Sequence, residues 1–94
     1  MTKANTSNPK TLEVIILNPR GTTENRVVKT FTEIQAIVGG YVEMFVVDGT
    51  TYLCNEECGY DGTKEINVHM YNIGQYIRGP VVKPLGDIDS ISYE

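Results

Sequence analysis

Residues 39–57 read GGYVEMFVVDGTTYLCNEE. At the centre, Asp48-Gly49 is the strongest short-range hairpin signal in the chain, because a type I′ turn needs positive φ at both central residues. The β-branched and aromatic run from Tyr41 to Val47 makes the outgoing strand, and Thr51 to Cys54 the return. The return strand runs directly into Asn55-Glu56-Glu57, which poses the question of what a polar knot does there.

Before the hairpin, Thr32-Glu33-Ile34-Gln35 predicts a helix start, with Thr32 as N-cap and Gln35 at the capping-box position. Ile34, Ile37 and Val38 recur at i, i+3 and i+4, and Gly39-Gly40 stops this short helix. Further back, Leu12 to Leu17 is a β-branched strand ended by the turn Asn18-Pro19-Arg20-Gly21. Arg26 to Phe31 is a second, shorter strand. Residues 1–10, polar and ending near Pro9, predict a flexible arm ahead of a single domain over 11–94.

After the hairpin, Asn55 to Gly62 is loop-like, and Ile66 to Gln75 stands between a helix and an irregular segment. Val81-Val82-Lys83 behind Gly79-Pro80 predicts an edge strand, the proline sitting where a strand begins. Asp87 to Glu94 is an acidic tail, readable as a last strand or an arm onto a neighbour. The sum is an α+β domain: a small antiparallel sheet with one or two short helices.

A chain of 94 residues, 40% hydrophobic, builds one modest core, so association with copies of itself is expected. No stretch approaches the run of about eighteen apolar residues that a membrane span needs, and MTKANTSNPK has no apolar leader core, so a cytoplasmic protein is expected. Cys54, Cys58 and the single histidine, His69, cannot supply four zinc ligands, and reduced thiols are expected. Neither a metal nor a cofactor is expected. The net charge of −4 argues against a face built for long nucleic acid. A small nucleotide is still admissible, since one or two arginines can hold a phosphate whatever the net charge.

Each candidate group has a functional and a purely structural explanation. Asn55-Glu56-Glu57 can converge on a ligand, or Asn55 and Glu57 can bond local backbone. Tyr71 and Tyr76, near Asn72, Gln75 and Arg78, offer stacking planes beside hydrogen-bonding groups, or they cover the sheet as part of an amphipathic segment. Tyr41 and Tyr52 on the hairpin read as packing. Arg78-Gly79-Pro80 and Arg20-Gly21 place guanidinium groups beside close-approaching backbone, where they can clamp phosphate or lie idle on the surface. His69 is the one general-base candidate and stands without a spaced acidic cluster.

Val38-Gly39-Gly40-Tyr41-Val42-Glu43, then Tyr52 to Glu57 and Gly59, then Ile66-Asn67 and Ile77-Arg78-Gly79-Pro80-Val81-Val82 together resemble a small domain-of-unknown-function family common in phage and prophage genes. The family run reads like VGGYIE…NEEG…N…GP, and the likeness extends over about residues 12 to 83. Cys58 between the glutamates and Gly59, and the His-Met-Tyr at 69–71, depart from it. Within this group the chain resembles phage anti-CBASS sponge proteins. That resemblance implies a homo-oligomer, a tetramer, that binds a cyclic dinucleotide such as 3′,3′-linked cyclic GMP-AMP and holds it uncut in the host cytoplasm. Tyr71, Tyr76, Arg78, Asn55, Glu56 and Asn67 are then the expected ligand contacts. A nucleotide-degrading enzyme, with His69 and Glu43 or Glu57 as acid and base, competes with this reading. So does an adaptor that blocks a host enzyme through the hairpin and the acidic tail.

Overall fold

The structure is a computed structural model that describes residues 10–60 and 62–93. The arm expected over residues 1–10 therefore lies, Lys10 apart, outside the described residues. Five strands, β1 (Leu12–Leu17), β2 (Thr23–Val28), β3 (Val42–Val47), β4 (Thr50–Asn55) and β5 (Val81–Pro84), form one antiparallel sheet in the order β2-β1-β5-β4-β3. Helix α1 (Phe31–Val38) follows β2, a single-turn helix α2 (Val68–Tyr71) lies between β4 and β5, and a 3-10 turn (Ile88–Ser90) closes the chain. The domain is α+β, as its sequence predicts.

The hairpin forms as expected. Asp48 and Gly49 take φ of 50° and 81°, and Val47 pairs with Thr50 across the two-residue turn. Leu12, Val14 and Ile16 of β1 point to the face covered by α1, where they pack with Val28, Ile34, Val38, Leu53, Val82 and Ile91. The opposite face has its own cluster of Cys54, Cys58, Met70 and Val81, covered by the segment that follows β4.

With both faces covered, β5 is not the edge strand that Pro80 at its start suggests. It runs between β1 and β4, and Val81 and Val82, on opposite faces, are both fully buried. A central strand buried on two faces reads as a continuous apolar pair instead of an alternation. The prolines are harmless because Pro80 precedes the first ladder residue and Pro84 is the last.

The β2–α1 junction also differs from expectation. β2 begins at Thr23 and ends at Val28, and the N-cap of α1 is Thr30, not Thr32. The Thr30 hydroxyl accepts from the Glu33 N–H, while the Glu33 carboxylate accepts from the Thr30 N–H at 3.0 Å and the Lys29 N–H at 2.9 Å. Thr30–Glu33 and Thr32–Gln35 have the same spacing. A carboxylate is the stronger acceptor and favours the positive end of the helix, so the earlier pair wins. Five of the six residues of β2 are exposed, so its limits come from pairing with β1 rather than from its own hydrophobicity. The tail folds onto its own chain: the Phe31 N–H donates to the Ser92 carbonyl at 2.7 Å, the Thr32 hydroxyl to the Tyr93 carbonyl at 2.8 Å, and Phe31 and Tyr93 pack ring to ring.

The Lys29 N–H, and after it the Thr30 N–H and hydroxyl, hold the Glu33 carboxyl below its ordinary value of 4.5, against a smaller opposing effect of desolvation. A depressed carboxylate contributes stability that is present above the unfolded-state value and is lost as pH falls through the folded-state one. Glu33→Gln is therefore expected to melt at a lower temperature than the native chain at pH 7. Thermal melts taken at successively lower pH should show the gap closing below 4.5.

Candidate functional site

The segment between β4 and β5 is nearly all turn, and the side chain that organises it is Asn67. It is fully buried, and both ends of its amide are saturated. The amide nitrogen donates to the Leu17 carbonyl at the end of β1 (2.8 Å) and to the Gly79 carbonyl ahead of β5 (2.9 Å). Its oxygen accepts from the His69 and Met70 N–H groups (3.0 and 3.2 Å), which makes Asn67 the N-cap of α2. Met70, also buried, plugs α2 into the cluster of Cys54, Cys58 and Val81.

Backbone bonds complete the frame. Val68 N–H donates to the Pro19 carbonyl, Asn67 N–H to Ile77, Gly79 N–H to Glu65 and Arg78 N–H to Cys58, all within 2.9 Å. Gly79 has φ of 83°, and a Cβ there would stand 3.0 Å from Lys64 Cδ. Arg20, in the β1–β2 turn, bonds both Glu65 carboxylate oxygens through Nε (2.9 and 3.0 Å), and this hydrogen bond, with the charge of Glu65, raises its pKa. Arg20 thus fastens the segment from outside.

What this frame displays is a pair of tyrosines. Tyr71 and Tyr76 are 54% and 69% exposed, with ring centroids 5.5 Å apart and planes at 62°. Ile66, Val68 and Ile73 are exposed on the same segment. Arg78 follows two residues after Tyr76, half-buried, with one guanidinium N–H on the Lys64 carbonyl at 3.0 Å.

The six residues expected at a ligand fall into two groups. Tyr71, Tyr76, Arg78 and Glu56 are exposed or half-buried. Asn55 and Asn67 are buried and bonded within the chain. The Asn55 amide nitrogen donates to the Val38 carbonyl at the end of α1 (3.2 Å), and its oxygen accepts from the Glu57 N–H (2.8 Å). Gly40 leaves it room, since a Cβ there would approach the Asn55 Nδ2 to 2.9 Å. So the polar knot after β4 ties the hairpin to the helix before it. Glu56 is left exposed, with its N–H on the Tyr41 carbonyl.

Two open depressions lie elsewhere. One, of ≈ 480 Å³, is lined by Lys10, Lys29, Thr30 and the tail residues Asp89 to Ser92; the other, of ≈ 500 Å³, lies between the Gly49 turn and residues 84–88. His69 is half-buried with Nε2 3.4 Å from the Thr22 carbonyl, and forms no ion pair with Glu43 or Glu57 among the described residues. The Cys54 and Cys58 sulfurs are 2.8 Å apart, and burial, then the hydrogen bond between them, pushes the Cys54 thiol up. Among the described residues no group of three or more His, Cys, Asp or Glu is placed to hold a metal ion, and no helix is long and apolar enough to cross a membrane.

The glycines and asparagines of the VGGY…NEE…N…GP run therefore serve largely in the frame: Gly39 at the C-cap, Gly40 against Asn55, Asn67 on Gly79. Residues 11–87 match the domain of unknown function DUF3846. The chain belongs to the DUF3846 family. No curated protein and no solved structure matches it.

The frame of this DUF3846 domain depends on the whole Asn67 amide. Asn67→Ala is expected to cost roughly 3 kcal/mol, combining a lost cap with the loss of two hydrogen bonds to the Leu17 and Gly79 carbonyls. Asn67→Asp keeps the cap but turns an oxygen toward those carbonyls, so urea denaturation should find it nearly as damaging. A loss below about 1 kcal/mol for both would show that the junction is not needed.

Proposed function

We propose that this DUF3846 protein is a phage immune-evasion sponge that binds a cyclic dinucleotide defence signal, 3′,3′-linked cyclic GMP-AMP in the first instance, and sequesters it without cutting it. The observation that carries this reading is the exposed Tyr71–Tyr76 pair on a frame that fixes its position. A tyrosine face is a base-stacking surface worth about 1–3 kcal/mol per base, and a preset ring pair avoids the cost of ordering on binding. Arg78 brings a guanidinium to the same segment, suited to a phosphate. Glu56 is an exposed carboxylate of the kind that accepts from guanine N–H groups. Asn55 and Asn67 serve by positioning, since their amides are committed inside the chain. The exposure of the rings suits a site completed by another copy, in keeping with a homotetramer. Nucleotide hydrolysis is the less favoured reading because His69 faces a backbone carbonyl and forms no ion pair with a carboxylate among the described residues.

Calorimetry against a panel of cyclic dinucleotides tests this. Tight binding is expected, with the nucleotide recovered intact after the complex is denatured. Tyr71→Ala and Tyr76→Ala should each weaken binding roughly 10- to 100-fold while leaving the melting temperature almost unchanged. Recovery of a linear product would make the protein a nucleotide-degrading enzyme. Binding to no member of the panel would leave a blocker of a host enzyme as the better account.

A further inference from the structure

Among the described residues the sheet ends at β3, and no further strand pairs with that edge. Antiparallel ladders alternate between pairs that exchange hydrogen bonds and pairs that do not. Val47 and Thr50 close the two-residue hairpin, and the Glu56 N–H donates to the Tyr41 carbonyl. The odd-numbered residues Tyr41, Glu43, Phe45 and Val47 therefore point their backbone groups at β4. Val42, Met44 and Val46 point theirs outward, away from the sheet.

The side chains of the same three residues lie on the α1 face, since Val42 packs against the cluster beneath α1 and Met44 is paired with Leu53 of that cluster. The helix does not reach the end of the strand. Met44 and Val46 are 54% and 61% exposed. Edge strands are ordinarily guarded by lysines, prolines, bulges or an inward-pointing charge. β3 carries no proline and no lysine, pairs with β4 without a bulge over six residues, and holds one charge, Glu43.

We propose that β3 pairs antiparallel with β3 of a second copy about a two-fold axis through Met44, joining two five-stranded sheets into one of ten. This register follows from self-complementarity. A two-fold axis normal to the sheet keeps each face continuous, so facing residues must both be even-numbered or both odd-numbered. Centring on Met44 sets Met44 opposite its own copy and Val42 opposite Val46, which satisfies all three outward backbone positions. It also joins the exposed apolar side chains into one ladder beside the α1-face core. Glu43 then faces Phe45 of the other copy, so the two carboxylates are not opposed. Charge selects the occupant: a chain of net charge −4 presents an almost neutral edge here, with no cation to draw an acidic partner and one carboxylate to draw a basic one.

The test uses the nucleotide-free full-length chain with Met44→Cys. Facing Cα atoms in a hydrogen-bonded pair are about 5.5 Å apart, within disulfide reach, so mild oxidation should produce a covalent dimer on a non-reducing gel. Val46→Cys is the register control, because its two copies would be four residues out of line, about 13 Å apart, and should cross-link poorly. The native chain controls for Cys54 and Cys58. Light scattering should find the native chain in even-numbered assemblies and Val46→Lys shifted toward monomer, with circular dichroism confirming that the variant is folded. A native monomer overturns the proposal, whether its edge is bare or covered by its own residues 1–9. An oligomer in which Met44→Cys fails to cross-link, or cross-links no better than Val46→Cys, overturns it equally. These outcomes are independent of the sponge reading: a dimer that binds no nucleotide removes only the sponge, and a monomer that binds one removes only the β3 pairing.

Discussion

The arrangement depends most on one buried amide. β1 and β5 are neighbours in the sheet, and one amide meets the carbonyl of Leu17 at the end of β1 and that of Gly79 just ahead of β5. A buried carbonyl without a donor costs about 1–3 kcal/mol, and Gly79 is buried. Asn67 is matched to the problem: two donors for two carbonyls, and two acceptor positions for the first N–H groups of α2. A four-residue helix has too few internal bonds to persist by itself, so α2 exists because Asn67 starts it and Met70 anchors it. The exposed rings of Tyr71 and Tyr76 take their positions from a residue that no solvent molecule touches.

Asn55 does the same work on the other side of the sheet, joining the C-terminus of α1 to the turn after β4. Its fit against Gly40 makes the two residues one unit, since a side chain at 40 would collide with the amide. Gly39, Gly40, Asn55, Asn67 and Gly79 are thus framework residues within the DUF3846 span of residues 11–87. Any ligand of the kind proposed must therefore be met by side chains the frame leaves exposed.

Features set by local chemistry were legible in the sequence. Asp48-Gly49 can make little other than its turn, Gly39 ends α1 by taking φ of 84°, and Leu12–Leu17 advertises β1 by its β-branched run. Features set by tertiary partners were not. Nothing local distinguishes Thr30–Glu33 from Thr32–Gln35 as the capping box, because the choice turns on where pairing with β1 ends β2. The central place of β5 was concealed by Pro80, which falls ahead of the ladder where no sheet N–H is required. In the site, the aromatic and charged candidates could be picked out by residue type. The fate of the two asparagines could not, because an amide that meets a ligand and one that meets four backbone groups look alike in a sequence. The open β3 edge was hidden for a related reason, as Met44 and Val46 look like core residues until the reach of α1 is known.

The two proposed surfaces bear on each other through the geometry of the sheet. A two-fold axis normal to the sheet leaves both copies of α2 on the same side of the ten-stranded surface, opposite the α1 helices, so pairing at β3 does not cover Tyr71 or Tyr76. It does not complete their site either. α2 is anchored around β5, two strands in from β3, and at about 4.8 Å per strand the two copies of α2 would stand roughly 24 Å apart. That is further than the two bases of one cyclic dinucleotide reach. A β3-paired dimer would hold two separate half-sites, and a ligand clasped between subunits would require a second, different contact that brings the α2 surfaces together. Two distinct two-fold contacts close into a tetramer when their axes meet at right angles, so the tetramer proposed for a sponge requires that geometry of the second contact.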